Sequence, residues 1–216
     1  MEPITSPEPQ TTLPLSNVVP PLSEPLLAPA QTSILGSLVV ISGPSGVGKG
    51  TMLKRIFAKY PDRLVFSIST TTRAPRSGET HGHEYFFATK EDFITDRDQG
   101  NFLEWAEYAG NFYGTPRQPV LDNIALGKVV ILEIELVGAR QVAQSFPSAR
   151  RIFISPPSLA ELEERLRSRS TDDGAQVAKR LAHAAIELAA AAEFDQIIIN
   201  DDLDQATMLL EQAIFA

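Results

Sequence analysis

Cysteine is absent from the 216-residue chain. Disulfides and thiolate metal sites are therefore excluded, and a reducing compartment is compatible with the composition. Basic residues are also scarce: 19 Lys and Arg against 27 Asp and Glu give a net charge of −8. Nonspecific grip on nucleic acid needs a basic surface to neutralise phosphates, so no nucleic-acid partner is expected. No apolar run approaches the roughly 20 residues that span a bilayer, and no membrane partner is expected either. Nothing basic precedes Lys49, which leaves out the charged start of a secretory signal and the arginines of a transit peptide. A cytoplasmic protein is the expectation.

What is present divides the chain near Ile34. Half of the sixteen prolines lie upstream, from Pro3 to Pro29, where each removes a backbone donor and blocks regular structure. Residues 1–34 read as a disordered tail. It has no PxxP spacing and no accompanying Lys or Arg, so it reads as an inert extension rather than an SH3-type ligand. Residues 35–216 hold the apolar content of one folded domain.

Within that domain, short apolar runs alternate with helical periodicity. Leu38–Ile41, Val129–Leu132, Arg151–Ile154 and Ile197–Ile199 read as strands buried on both faces. Helices are expected over Thr51–Tyr60 (stopped by Pro61), from a Ser158/Glu161 capping box through Leu166, over Lys179–Ala192, and over Leu203–Phe215. This alternation predicts an α/β fold with a parallel sheet. Residues 66–113 differ. They are strand-rich, with turn signals at Ser77-Gly78 and Gly110-Asn111, and predict an inserted subdomain.

The run Gly43-Pro44-Ser45-Gly46-Val47-Gly48-Lys49 directly follows the first strand and opens the first helix. Glycines let the backbone wrap a phosphate, the helix start adds partial positive charge, and Lys49 reaches the outer phosphates. The next position, where a hydroxyl for Mg²⁺ is customary, holds Gly50; Thr51 or water is left to supply it. Such a loop equally suits a GTPase or an ATP-driven motor. There is no N-K-x-D motif of the GTPase kind.

A second anion site is foreshadowed by Ser67-Ile68-Ser69-Thr70-Thr71-Thr72-Arg73-Ala74-Pro75-Arg76-Ser77-Gly78-Glu79, a hydroxyl-rich strand end leading into two arginines. Guanidinium groups donate paired hydrogen bonds to phosphate, and nearby hydroxyls can position an anion or a base without adding charge. Tyr85 and Tyr113 add hydroxyls downstream. In Phe102-Leu103-Glu104-Trp105-Ala106, strand alternation separates Glu104 from Leu103 and Trp105, which allows a carboxylate facing a cleft while Trp105 packs in the core.

In order and spacing these motifs strongly resemble those of guanylate kinases, from about Leu38 to the end of the chain. The resemblance implies the nucleoside monophosphate kinase fold. Its core would span residues 35–67 and 116–216, with a GMP-binding subdomain at about 68–115 and a lid at about 168–180. It implies transfer of the γ-phosphoryl group of ATP to GMP, and also to dGMP, with Mg²⁺, in a monomer or weak homo-oligomer. Residues 43–51 and, at the adenine side, Asn200 would bind ATP. Arg73, Arg76, Tyr85 and Tyr113 would hold the GMP phosphate, while Ser69, Glu104 and Thr115 read guanine. A carboxylate at 104 suits the adjacent N1–H and N2–H donors of guanine and would be left unpaired by adenine.

Phosphoryl transfer also needs cations on the developing charge. Arg165 and Arg169 share a helix face, and Arg180 follows the polar stretch 170–174; the resemblance places all three, with Lys49 and Arg73, at the transfer. Arg167 lacks a counterpart and reads as a surface residue. Glu133 and Glu135 stand where the family has an Asp-x-Asp pair, each one methylene longer. They would orient the Mg²⁺ shell through water, or pair with the acceptor-site arginines and the base. His81, His83 and His183 have no metal-ligand company. A non-enzymatic guanylate-kinase-like scaffold is disfavoured, because Lys49 and the loop glycines persist.

Overall fold

The computed structural model describes residues 36–168 and 174–216. The tail expected over 1–34 lies outside the described residues. So does 169–173, which includes Arg169 and the middle of the expected lid.

The chain opens with β1 (Ser37–Ser42), whose side chains alternate between two cores: Val39 and Ile41 enter one, Leu38 and Val40 the other. Helix α1 (Lys49–Lys59) buries Met52, Leu53 and Ile56 at helical spacing against the Val39/Ile41 face and ends just before Pro61. Strand β2 is Leu64–Phe66. The strand-rich insertion follows with β3 (Thr70–Thr71), β4 (Phe86–Phe87), helix α2 (Lys90–Asp98), β5 (Phe102–Tyr108) and β6 (Asn111–Pro116). Its four strands form a sheet ordered β4-β3-β6-β5. Helix α2 has no counterpart in the sequence reading. Only Phe93 of it is buried, so it has little periodicity to read, although Thr89 Oγ1 caps it by accepting from Asp92 N at 3.1 Å.

Helix α3 (Arg117–Ala125), β7 (Val129–Glu133), α4 (Leu136–Ser145) and β8 (Arg150–Ser155) return the chain to the main sheet. After α5 (Leu159–Ser168) and α6 (Gly174–Ala189), a 3₁₀ turn at Ala191–Glu193 leads into β9 (Gln196–Ile199) and α7 (Leu203–Phe215). The main sheet runs β2-β7-β1-β8-β9, every pair parallel. Helices α1 and α7 cover one face, while α3 and α4 help cover the other. Each fully buried aliphatic in such a core contributes about 1.5–3 kcal/mol.

Three expectations need correction. Ile197–Ile199 is not buried on both faces: β9 is an edge strand, Ile198 is buried, and Ile197 and Ile199 are exposed. The helix expected over Lys179–Ala192 is displaced upstream to Gly174–Ala189, because Ala175, Gln176 and Ala178 favour helix and no breaker separates them from Lys179. Residues 174–180 of the expected lid are thus the first turns of α6. At α5, Ser158 Oγ accepts from Glu161 N at 3.1 Å, but the Glu161 carboxylate accepts from Arg165 instead of closing the box.

Candidate active site

The glycine loop leaves β1 at its carboxyl end and enters α1. Gly43 and Gly48 have φ values of 140° and 103°. Neither has room for a side chain: a Cβ would lie 2.2 Å from the Ile154 carbonyl oxygen or 2.5 Å from Asn200 Nδ2, respectively. Gly48 caps α1 without a side-chain bond, which leaves the amides at the helix start for an anion. Beside them lies a cleft of about 400 Å³ lined by Ser45, Gly46, Gly48, Lys49, Gly50, Thr51 and Glu133.

Lys49 folds back on its own loop, donating from Nζ to the carbonyls of Gly43 at 2.5 Å and Pro44 at 3.1 Å. Burial pushes its pKa down, and the carboxylates of Glu133, Glu187 and Glu135 act in the opposite direction. Asn200, at the end of β9, is buried and donates from Nδ2 to the Val47 carbonyl at 2.7 Å. The side chain expected to meet adenine is thus engaged with the phosphate loop itself. The Asn200 carbonyl in turn accepts from Arg165 Nη1 at 3.0 Å, and Arg165 Nε donates to Glu161 at 3.1 Å. Arg180 is half-buried on α6, while Arg169 lies outside the described residues. Arg167 forms an exposed pair with Glu163 at 2.6 Å.

At the insertion, the rings of Tyr85 and Tyr113 stand 6.0 Å apart, and the Arg73 guanidinium lies over Tyr85 at 5.4 Å. Arg73 Nη2 donates to Glu79 at 2.8 Å. Arg76 is exposed, and Ser69 is half-buried just before β3. The neighbouring hydroxyls serve the fold rather than an anion: Thr71 Oγ1 donates to the Phe112 carbonyl and Thr72 Oγ1 accepts from Phe112 N.

Glu104 and Thr115 face each other across β5 and β6. Glu104 is only 8% exposed, and its Oε1 accepts from Thr115 Oγ1 at 2.6 Å. Burial raises the Glu104 pKa, partly offset by that hydrogen bond. Helix α4 fixes the strand around it. Gln141 bonds both Trp105 N and Trp105 O, at 2.9 and 2.8 Å, and Ser145 Oγ donates to Leu103 O at 2.6 Å. In the first turn of α4, Gly138 leaves the carboxylate its space: a Cβ there would lie 2.8 Å from Glu104 Oε2. Glu135 stands at the N-cap position of the same helix, without a side-chain bond to it, and its carboxylate acts electrostatically on Lys49. The start of α4 therefore connects the glycine loop with the Glu104 pocket.

The guanylate kinase family model matches residues 36–216. The chain belongs to the guanylate kinase family. It is 58% identical over 188 residues to the guanylate kinase of a Synechocystis species, covering 87% of this chain and 98% of that one. To the guanylate kinase of Thermosynechococcus vestitus it is 58% identical over 181 residues, covering 84% and 94%. Among solved structures, the guanylate kinase of Anaplasma phagocytophilum aligns with a TM-score of 0.61 at 32% identity, covering 84% of this chain and 85% of that one.

Several residues around these guanylate kinase motifs escape sequence reasoning. Gly138 carries a weak signal, as a glycine inside a helix with no turn to make. Gln141 and Ser145 carry none, since their partners are main-chain atoms of a distant strand. Glu187 was detectable: it shares the buried face of α6 with Val177 and Ala184, a carboxylate at an apolar position.

Proposed function

We infer that the chain transfers the γ-phosphoryl group of ATP to GMP, producing ADP and GDP, with dGMP as a further acceptor. The observation that carries the guanine assignment is the buried Glu104, hydrogen-bonded to Thr115 and held against Gly138 next to the carboxylates around Lys49. A buried carboxylate is costly unless paired, so a site retaining one favours a ligand that brings donors. Guanine brings two on one edge.

In this reading residues 43–51 wrap the ATP phosphates, and Lys49 leaves the carbonyls of Gly43 and Pro44 for the outer phosphates. Asn200 acts by holding the loop. Arg73, Arg76, Tyr85 and Tyr113 hold the GMP phosphate, and Ser69 and Thr115 assist Glu104 with the base. Arg165, Arg169 and Arg180 supply cations to the charge that develops between donor and acceptor. The segment 168–180 acts as the lid that keeps water from the phosphoryl group.

Thr51 and Glu133 line the cleft beside Lys49, and oxygen donors suit a hard cation. Among the described residues no group of three or more His, Asp or Glu forms a cage, which fits Mg²⁺ that arrives on the nucleotide. When bound, Mg²⁺ neutralises charge on the β- and γ-phosphate oxygens. Thr51 and Glu133 would hold it, directly or through water, with Glu135 alongside.

A coupled ADP-release assay with GMP, dGMP, AMP and UMP tests the assignment. Turnover with GMP and dGMP far above AMP and UMP is expected. A lack of turnover with every acceptor would make the chain a binding scaffold.

A further inference from the structure

Glu79 lies in the turn that follows the two arginines of the acceptor pocket, and no role in binding or transfer has been assigned to it. Its two carboxylate oxygens take different partners. Oε1 accepts from Arg73 Nη2 at 2.8 Å, and Oε2 accepts from the Arg76 main-chain N–H at 2.7 Å. The Glu79 amide closes the same turn by donating to Arg76 O at 3.1 Å. Both members of the ion pair are largely enclosed, with side-chain exposures of 15% for Arg73 and 17% for Glu79.

Arg73 is confined from other directions as well. Its Nη1 donates to the Ala74 carbonyl at 2.8 Å, and the guanidinium lies 5.4 Å over the Tyr85 ring and 6.0 Å over Phe87. A guanidinium has five N–H donors, so two protein bonds leave donors for an anion. A long side chain that is ordered before its ligand arrives loses less freedom on binding.

We propose that Glu79 is a positioning residue for the acceptor phosphate, tying the Arg73 guanidinium to the Arg76 main chain so that the two arginines meet substrate with their spacing already set. This rests on the reading that Arg73 and Arg76 hold that phosphate. Its rival is a carboxylate that competes with phosphate for Arg73. The two differ in sign: a positioning carboxylate aids acceptor binding, and a competing one opposes it. The geometry favours the first, because Glu79 meets the guanidinium through a single oxygen at Nη2, spends its other oxygen on the Arg76 main chain, and leaves the ring contacts and the Ala74 bond intact.

The test is steady-state kinetics of the full chain as wild type, Glu79→Gln, Arg73→Lys and the double variant. Glutamine keeps an oxygen for Arg76 N and loses the charge toward Arg73. The expected result is a KM for GMP raised about tenfold in Glu79→Gln, with the KM for ATP within about twofold. In the Arg73→Lys background the same change should add less than about a twofold loss, because Glu79 acts through Arg73. An unchanged or lowered KM for GMP overturns the proposal, as does an equal loss in both backgrounds, which would mark a turn-closing role alone. If Arg73→Lys itself leaves the KM for GMP unchanged, the phosphate assignment of Arg73 fails, and this proposal with it.

Discussion

Thr115 Oγ1 donates a 2.6 Å hydrogen bond to the Glu104 carboxylate inside a pocket where Glu104 is only 8% exposed. One neutral donor is modest compensation for a buried charge, and burial accordingly raises the Glu104 pKa. Between the ordinary value of 4.5 and that raised value, the folded chain binds a proton that the unfolded chain has released. Stability therefore falls as pH rises through this window. Glu104→Gln keeps an oxygen for Thr115 and removes the charge. Thermal midpoints should show the variant more stable than wild type at about pH 8, with the difference shrinking toward about pH 5. Its kcat/KM for GMP should fall on the order of a hundredfold. A variant with wild-type GMP kinetics would remove Glu104 from base recognition.

Gly138 makes a sharper probe, because it reaches the same carboxylate without changing any charge. A Cβ at this position would lie 2.8 Å from Glu104 Oε2, the movable end of a flexible side chain. Gly138→Ala should therefore fold well, helped by alanine's greater helix propensity, worth about 1 kcal/mol. The displaced carboxylate should raise the KM for GMP about tenfold and leave the KM for ATP alone. Equal losses for both substrates would point to a general disturbance of α4 instead.

The contrast between these two residues shows where sequence reading stops. The main sheet was legible because Leu38–Ile41, Val129–Leu132 and Ile152–Ile154 are apolar at every position, which only a strand covered on both faces tolerates. The same rule misled at Ile197–Ile199, since edge position depends on strand order and composition does not encode it. Glu104 could be singled out because a motif surrounds it. The space that Gly138 leaves for it, and the grip of Gln141 on Trp105, arise from contacts between positions more than 30 apart in the chain. Glu79 stood within a recognised motif, yet its partners became visible only with coordinates.

Asn200 offers a test of the donor side. Its amide donates at 2.7 Å to the Val47 carbonyl, and both residues are buried. Asn200→Ala leaves that carbonyl unsatisfied at a cost of about 1–3 kcal/mol and releases the middle of the phosphate loop. The bond from Arg165 goes to the Asn200 main chain and survives the change. The KM for ATP should rise with little effect on GMP, and the midpoint of thermal unfolding should drop. A stable variant with unchanged ATP kinetics would mean that the glycine geometry alone holds the loop.

Glu187 adds a prediction about pH. It is buried on α6, where burial raises its own pKa, and its carboxylate is one of three that keep Lys49 charged. Burial already lowers the Lys49 pKa, so the folded chain gives up this proton below 10.5, while the unfolded chain still holds it. Removing a supporting carboxylate lowers it further. In Glu187→Gln, the alkaline limb of the kcat/KM profile for ATP, followed from about pH 8 to about pH 10, should move to lower pH. Because α6 also carries Arg180, Glu187→Ala serves as a control for packing. It removes the same charge and should show the same alkaline displacement, whatever loss of stability the shorter side chain brings. Profiles that coincide with wild type in both variants would show that the Lys49 charge is set by Glu133 and Glu135 without help from α6.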